Sequence, residues 1–120
     1  VNTQQVGRGA AVEWTERELG GPVNEVESLV TATSPKAEIL GGNADRVAVV
    51  FVNTGSNDAI ISLGGLSSIS GGIRLAAQGG TMILTLRDDF TLPTRAFSGF
   101  ASAGPSNIYI LEYVRFRKAD

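Results

Sequence analysis

Neither histidine nor cysteine occurs among the 120 residues, so the chemistry open to this chain is that of carboxylates, hydroxyls, amides and cations. The commonest general base at neutral pH is missing, together with the usual zinc, copper and iron ligand. A thiol nucleophile, a disulfide framework and a thiolate metal site are equally excluded. The adjacent carboxylates of Asp88 and Asp89 are the first candidates for a hard cation, but Ca²⁺ needs about six or more oxygen ligands and neighbours on an extended chain point opposite ways. Without an Asp- and Asn-rich loop around them, a turn or capping role is expected. Asn53, Asn57 and Asp58 form a similar small cluster, which a hairpin turn explains. Glu13, Glu16, Glu18, Glu25 and Glu27 crowd the polar N-terminal third, whereas glycoside hydrolysis needs two carboxylates across a cleft. A serine paired with Lys36 or Lys118 lacks the GxSxG elbow that would expose it. No catalytic residue, metal site or cofactor site is expected, and the chain reads as a non-enzyme.

The glycines raise a further possibility, a phosphate cradle. Ten of the fifteen stand in pairs at 20–21, 41–42, 64–65, 71–72 and 79–80. A cradle needs backbone N–H groups converging at a helix N-terminus, with a lysine or hydroxyl after the glycines. No GxxxxGK[ST] or complete GxGxxG is present, and strand-like segments follow the pairs. The pairs are therefore read as punctuation between strands.

Between them lie strand-sized runs. "RVAVVFVN" over 46–53, a turn over Thr54–Asp58 and "AIISL" over 59–63 form a hairpin, since β-branched and aromatic side chains suit a pleated surface and Asn and Gly suit the turn. "IRLAA" (73–77), with Ile73 and Leu75 on one face, turns through "QGG" into "TMILTLR" (81–87), a second hairpin. "DDFTLP" turns again, with Pro93 as a stop, and strands follow over "TRAFSGFASAG" (94–104) and "NIYILEYVRF" (107–116). In the last, Ile108, Ile110, Val114 and Phe116 share a face interrupted by Glu112, opposite Tyr109, Leu111, Tyr113 and Arg115. Val23, Val26, Leu29 and Val30 fit a helical face, but Pro35 and the β-branched run favour two strands, about 28–33 and 37–40. The sum is an all-β chain, a single antiparallel β-sandwich of jelly-roll or immunoglobulin-like type with seven or eight strands and no helix. Residues 1–22 lack a period and are expected to form an extended arm, leaving 23–120 as the sandwich domain.

Composition limits the partners. Hydrophobic residues make up 42% and charged residues 18%, with a net charge of −2 and a pI near 5.1, so no nucleic-acid partner is expected. No apolar run approaches the length of a membrane span, no basic region precedes an apolar one at the N-terminus, and the chain is expected to be soluble and mature, with no membrane partner. Eight of the ten basic residues are Arg, a bias that suits interfaces. The terminal Arg115, Arg117 and Lys118 read as a solvated tail beside Asp120.

Strands 47–52 and 82–86 are apolar on both faces, so something must cover the second face, and in a chain this small the cover is expected to be another subunit. Phenylalanines in strands read as core. Trp14, in a polar arm, reads as an anchor for the domain or a partner. The candidate interface residues are Trp14, Arg17, Leu19, Arg74, Tyr109 and Tyr113. The same aromatics Trp14, Tyr109 and Tyr113 would serve a sugar-stacking platform.

The stretches "AEILGGNADRVAVVFVNTGSNDAIISLGG", "SSISGGIRLAAQGGTMILTLRDDF" and "NIYILEY" resemble small β-sandwich virion proteins of tailed bacteriophages over about residues 28–114. An Asn/Arg-led strand running into N-x-G-s, a serine-rich loop leading to GIRLAP-GG, and a late YILE strand carry the likeness. Ala77 stands where that group has proline. The resemblance implies a virion component, a capsid decoration or cement protein bound to the major capsid protein or another virion protein. A homo-oligomer, with a trimer favoured, assembled in the host cytoplasm, would follow. A receptor- or carbohydrate-binding fibre or tail module is the alternative, and a tail or head-completion protein a third.

Overall fold

Valine, phenylalanine and isoleucine at every second position decide the central strands. In the computed structural model, which describes residues 23–63 and 72–115, Val47, Val49 and Phe51 are fully buried within Arg46–Asn53, as are Ile108 and Ile110 within Ser106–Arg115. This period of two puts their neighbours on the opposite face. In chain order the strands are β1 (Val23–Ala32), β2 (Ala37–Leu40), β3 (Arg46–Asn53), β4 (Ala59–Ser62), β5 (Ile73–Leu75), β6 (Thr81–Thr85), β7 (Phe97–Phe100) and β8 (Ser106–Arg115). They form two four-stranded sheets, β1-β8-β3-β6 and β2-β7-β4-β5, with every pairing antiparallel.

Pairing of first with last, second with seventh, third with sixth and fourth with fifth is one long hairpin rolled into two layers. That is the jelly-roll order, not the immunoglobulin one. Between the layers lie Val49, Phe51, Ile61, Leu75, Leu84, Phe97, Ile108 and Ile110, with the Phe51 and Phe97 rings edge-on at 5.0 Å. Gly99 on β7 makes room for them, because a Cβ there would come within 2.9 Å of Ile39.

Several boundaries depart from expectation. β1 begins at Val23, not 28, because β8 offers a ten-residue ladder from Arg115 to Ser106 along which even the polar Asn24, Glu25 and Glu27 pair. β5 ends at Leu75, and Ile73, across from buried Ile61, remains 53% exposed. β7 is confined to four residues. The expected strand through Arg87 stops at Thr85, and one helical turn, α1 (Leu86–Asp89), follows. Thr85 caps it: its Oγ1 accepts from the Asp88 N–H at 3.2 Å, and its own N–H donates to Asp89 Oδ2 at 2.9 Å, a reciprocal capping arrangement. Asp88 and Asp89 thus have the capping role expected of them.

Glu112, which interrupts the apolar face of β8, is explained by a residue 66 positions away. Arg46 is 2% exposed and donates from Nε to Glu112 Oε1 at 2.8 Å, with three of its four other N–H donors on the carbonyls of Gly41, Pro93 and Arg95. A buried charge is tolerable only when satisfied in this way. The guanidinium thereby pins the Gly41–Gly42 loop and the 3₁₀ turn Leu92–Thr94 to the end of the sandwich.

Candidate interaction surface

Alternation along β8 sends Tyr109, Leu111 and Tyr113 outward, away from the core, and the pairing register assembles the rest of that face around them. Three rows cross the sheet in the order β1, β8, β3, β6. They are Leu29, Tyr109, Val52 and Thr81; Glu27, Leu111, Val50 and Ile83; Glu25, Tyr113, Ala48 and Thr85. Leu29 is 64% exposed and Ile83 61%, and the residues between them on β8 and β3 are half-buried. With strands about 4.8 Å apart and about 3.4 Å per residue, the face covers about 300 Å² in projection. Its apolar centre, within the polar edges made by Glu25, Glu27, Thr81 and Thr85, is the kind of surface patch that is often functional.

Charge is confined to its border. Glu25 and Glu27 stand together on the β1 edge. The Tyr109 hydroxyl donates to Glu27, and desolvation by neighbouring groups, then the Glu27 carboxylate, hold that phenol above its usual pKa. Arg115, one step beyond Tyr113, has its Nε buried without a hydrogen-bond partner among the described residues.

Arg74 lies elsewhere. On β5 of the other sheet, its guanidinium pairs with Asp58, donating from Nε to Oδ2 at 3.0 Å. Asp58 Oδ1 accepts the Ala77 N–H at 2.8 Å. The Arg74 hydrogen bond, then the Ala77 amide, lower the Asp58 pKa below the ordinary carboxylate value. A proline at 77 could not make that contact, having no N–H. The pair borders an open depression of about 320 Å³ lined also by Ser56, Asn57, Ile60 and Ser102. Its loops are rigidly set. Asn53, fully buried, donates to the carbonyls of Asn57 and Leu75 and accepts from Gly55 N–H and Ser106 Oγ, filling all four of its side-chain hydrogen bonds. Gly55 allows this packing, since a Cβ would lie 2.1 Å from Ser106 Oγ.

Only three of the six candidate interface residues can be placed. Tyr109 and Tyr113 share the outer face of the first sheet, Arg74 belongs to the second, and Trp14, Arg17 and Leu19 lie outside the described residues. Val50, Val52 and Ile83 belong to the second apolar face expected of strands 47–52 and 82–86, whereas Leu29 went unrecognised, because its membership depends on which strands are neighbours. One phenylalanine also departs from the core rule: Phe90, in the turn after α1, is 84% exposed.

No protein family matches the chain, and neither curated proteins nor solved structures give a match. Among the described residues no helix is long and apolar enough to cross a membrane, and no group of three His, Cys, Asp or Glu could hold a metal ion.

Proposed function

We propose that this chain is a non-enzymatic structural protein of a virion, of the capsid decoration or cement type, which works by burying the outer face of β1-β8-β3-β6 against a neighbouring subunit. The observation that supports this is the row structure of that face: Leu29, Tyr109, Leu111, Val50, Val52 and Ile83 form apolar surface open to solvent on a two-layer fold whose core is already closed. Jelly rolls serve in capsid and lectin domains alike, so the fold alone does not choose. The face does favour assembly, because each apolar side chain it buries contributes about 1.5–3 kcal/mol before ordering costs, repeated over many copies on a shell. Residues 1–22 span up to about 70 Å when extended, enough to reach an adjacent capsid subunit. The partner is the major capsid protein or another virion protein, and the place of action is the particle.

Immunogold labelling of purified particles with an antibody against this chain tests the reading: a stoichiometric label on the particle surface is expected, and its absence from particles overturns it. Removing residues 1–22 should weaken binding to assembled heads, and unchanged binding removes the arm from the mechanism.

A second reading, a carbohydrate-binding module, is favoured by one observation. The depression beside Arg74 combines hydroxyl, amide, carboxylate and guanidinium groups around Ile60, the mixture that a sugar's hydroxyl edge and C–H face require. A glycan array with the full chain, and its loss of signal in Arg74→Ala, decides for or against it.

A further inference from the structure

Phe90 has φ 57° and ψ −123°, a backbone conformation that glycine adopts freely and an aromatic residue does not. It is also 84% exposed, so no contact of its ring within the domain accounts for the strain. Both flanks are locked. On one side lies the capped turn at Thr85. On the other, the Thr94 and Arg95 amides bond back to Thr91 and Leu92, and the Pro93 carbonyl accepts from buried Arg46. A strained residue persists only where its surroundings over-determine it, and such residues cluster at sites of function. Here the effect is to fix the direction in which the phenyl ring leaves the backbone, so the backbone needs little further ordering when a partner arrives.

The same chain carries a surface that fits it. Tyr109 and Tyr113 are four residues apart on one face of β8, about 14 Å along the strand, with Leu111 and Val50 as a floor between them. A ring seated over that floor would lie about 7 Å from each tyrosine, within reach of edge-to-face contact. The borders are complementary in charge. Arg87 and Arg95, on either side of Phe90, are exposed, and their guanidinium groups make no hydrogen bond or ion pair among the described residues, while Asp88 and Asp89 are turned to Thr85. The floor is bordered by Glu25 and Glu27.

We infer that Phe90 of one copy docks between Tyr109 and Tyr113 of a second copy, a head-to-tail contact. This deepens the assembly reading and rests on it. A single ring between two tyrosines is small beside the roughly 1,200–2,000 Å² of a standard interface. Repetition compensates, because in a head-to-tail assembly each copy both gives a ring and receives one.

The test is sedimentation and thermal unfolding of the full chain beside Phe90→Gly and Phe90→Tyr. Phe90→Gly relieves the backbone, so at a dilution where both proteins are monomeric its Tm should rise by about 3–6 °C. Its self-association should weaken at least tenfold. Phe90→Tyr keeps the ring and should associate like the parent. A Phe90→Gly protein that associates as the parent does, or that melts lower, overturns the inference, as does a parent chain monomeric at millimolar concentration. A parent that is monomeric yet found on particles removes this contact and leaves the assembly reading standing; a chain that does neither removes both.

Discussion

The two outer faces of this sandwich are built from the same kind of strand and end in opposite states. On the first sheet the outward positions Leu29, Tyr109, Leu111, Tyr113, Val50, Val52 and Ile83 form an apolar centre, half-buried to exposed, with Glu25, Glu27, Thr81 and Thr85 on its edges. On the second they are Glu38, Ser98, Ser62 and Arg74 around Ile60 and Phe100, and here Ile60 is only 8% and Ser98 9% exposed. Strand length accompanies the difference: β1, β3 and β8 run to 10, 8 and 10 residues, while the strands of the second sheet have three or four. Long strands lay out the broader surface, and short ones the narrower. The outer surface of the first sheet is thus the one on which a partner would gain most, and that of the second behaves as part of the fold.

Matched substitutions test that division directly. Ile60→Asp places an unpaired carboxylate in a buried site and should destabilise the domain by about 3 kcal/mol or more, read as a lowered urea midpoint. Ile83→Asp, on an exposed edge position, should cost about 0.5 kcal/mol or less in the same measurement. Equal losses would abolish the distinction. A smaller effect on the fold but a decisive one on association is expected of Leu111→Lys, which puts a charge in the middle of the apolar rows. The isolated domain should lose about 1 kcal/mol or less, while self-association and binding to particles fall at least tenfold. A Leu111→Lys chain that still binds would move the contact surface elsewhere.

How much of this could be read from the chain follows the range of each interaction. β3 and β8 were legible because Val49, Phe51, Ile108 and Ile110 alternate within a few residues. The outward Tyr109 and Tyr113 were legible for the same reason. Leu29 was not, and the second apolar face expected of strands 47–52 and 82–86 could not be joined to the tyrosines, since both steps require knowing that β1 and β6 are the outer strands of one sheet. The start of β1 was hidden because its first five residues pair only by virtue of a long partner. Arg46 and Glu112 were separately visible, but nothing local links them across 66 positions. The helical turn had a local signature in Thr85 and Asp88, the spacing of a capping arrangement, which the strand-like TMILTLR pattern obscured. For Phe90 the one available signal was a large apolar residue inside a turn.

The last consequence of the comparison concerns acid. Asp58 and Arg74 belong to the second sheet's side, and the Arg74 hydrogen bond and the Ala77 amide depress the Asp58 pKa in the folded state. A carboxylate with a lower pKa folded than unfolded contributes stability above its unfolded value, near 3.8, and loses it as pH falls through the folded value. The pair is exposed, with side chains 71% and 37% accessible, so solvent screens it and the effect is the smallest of those considered. Asp58→Asn should therefore leave association unchanged and slightly flatten the acid limb of the stability curve below about pH 4. Chemical denaturation at pH 7 and pH 3 measures it. If the parent and Asp58→Asn lose stability in parallel between those pH values, the pair contributes nothing to the fold, and Ala77 N–H has no stabilising carboxylate to hold.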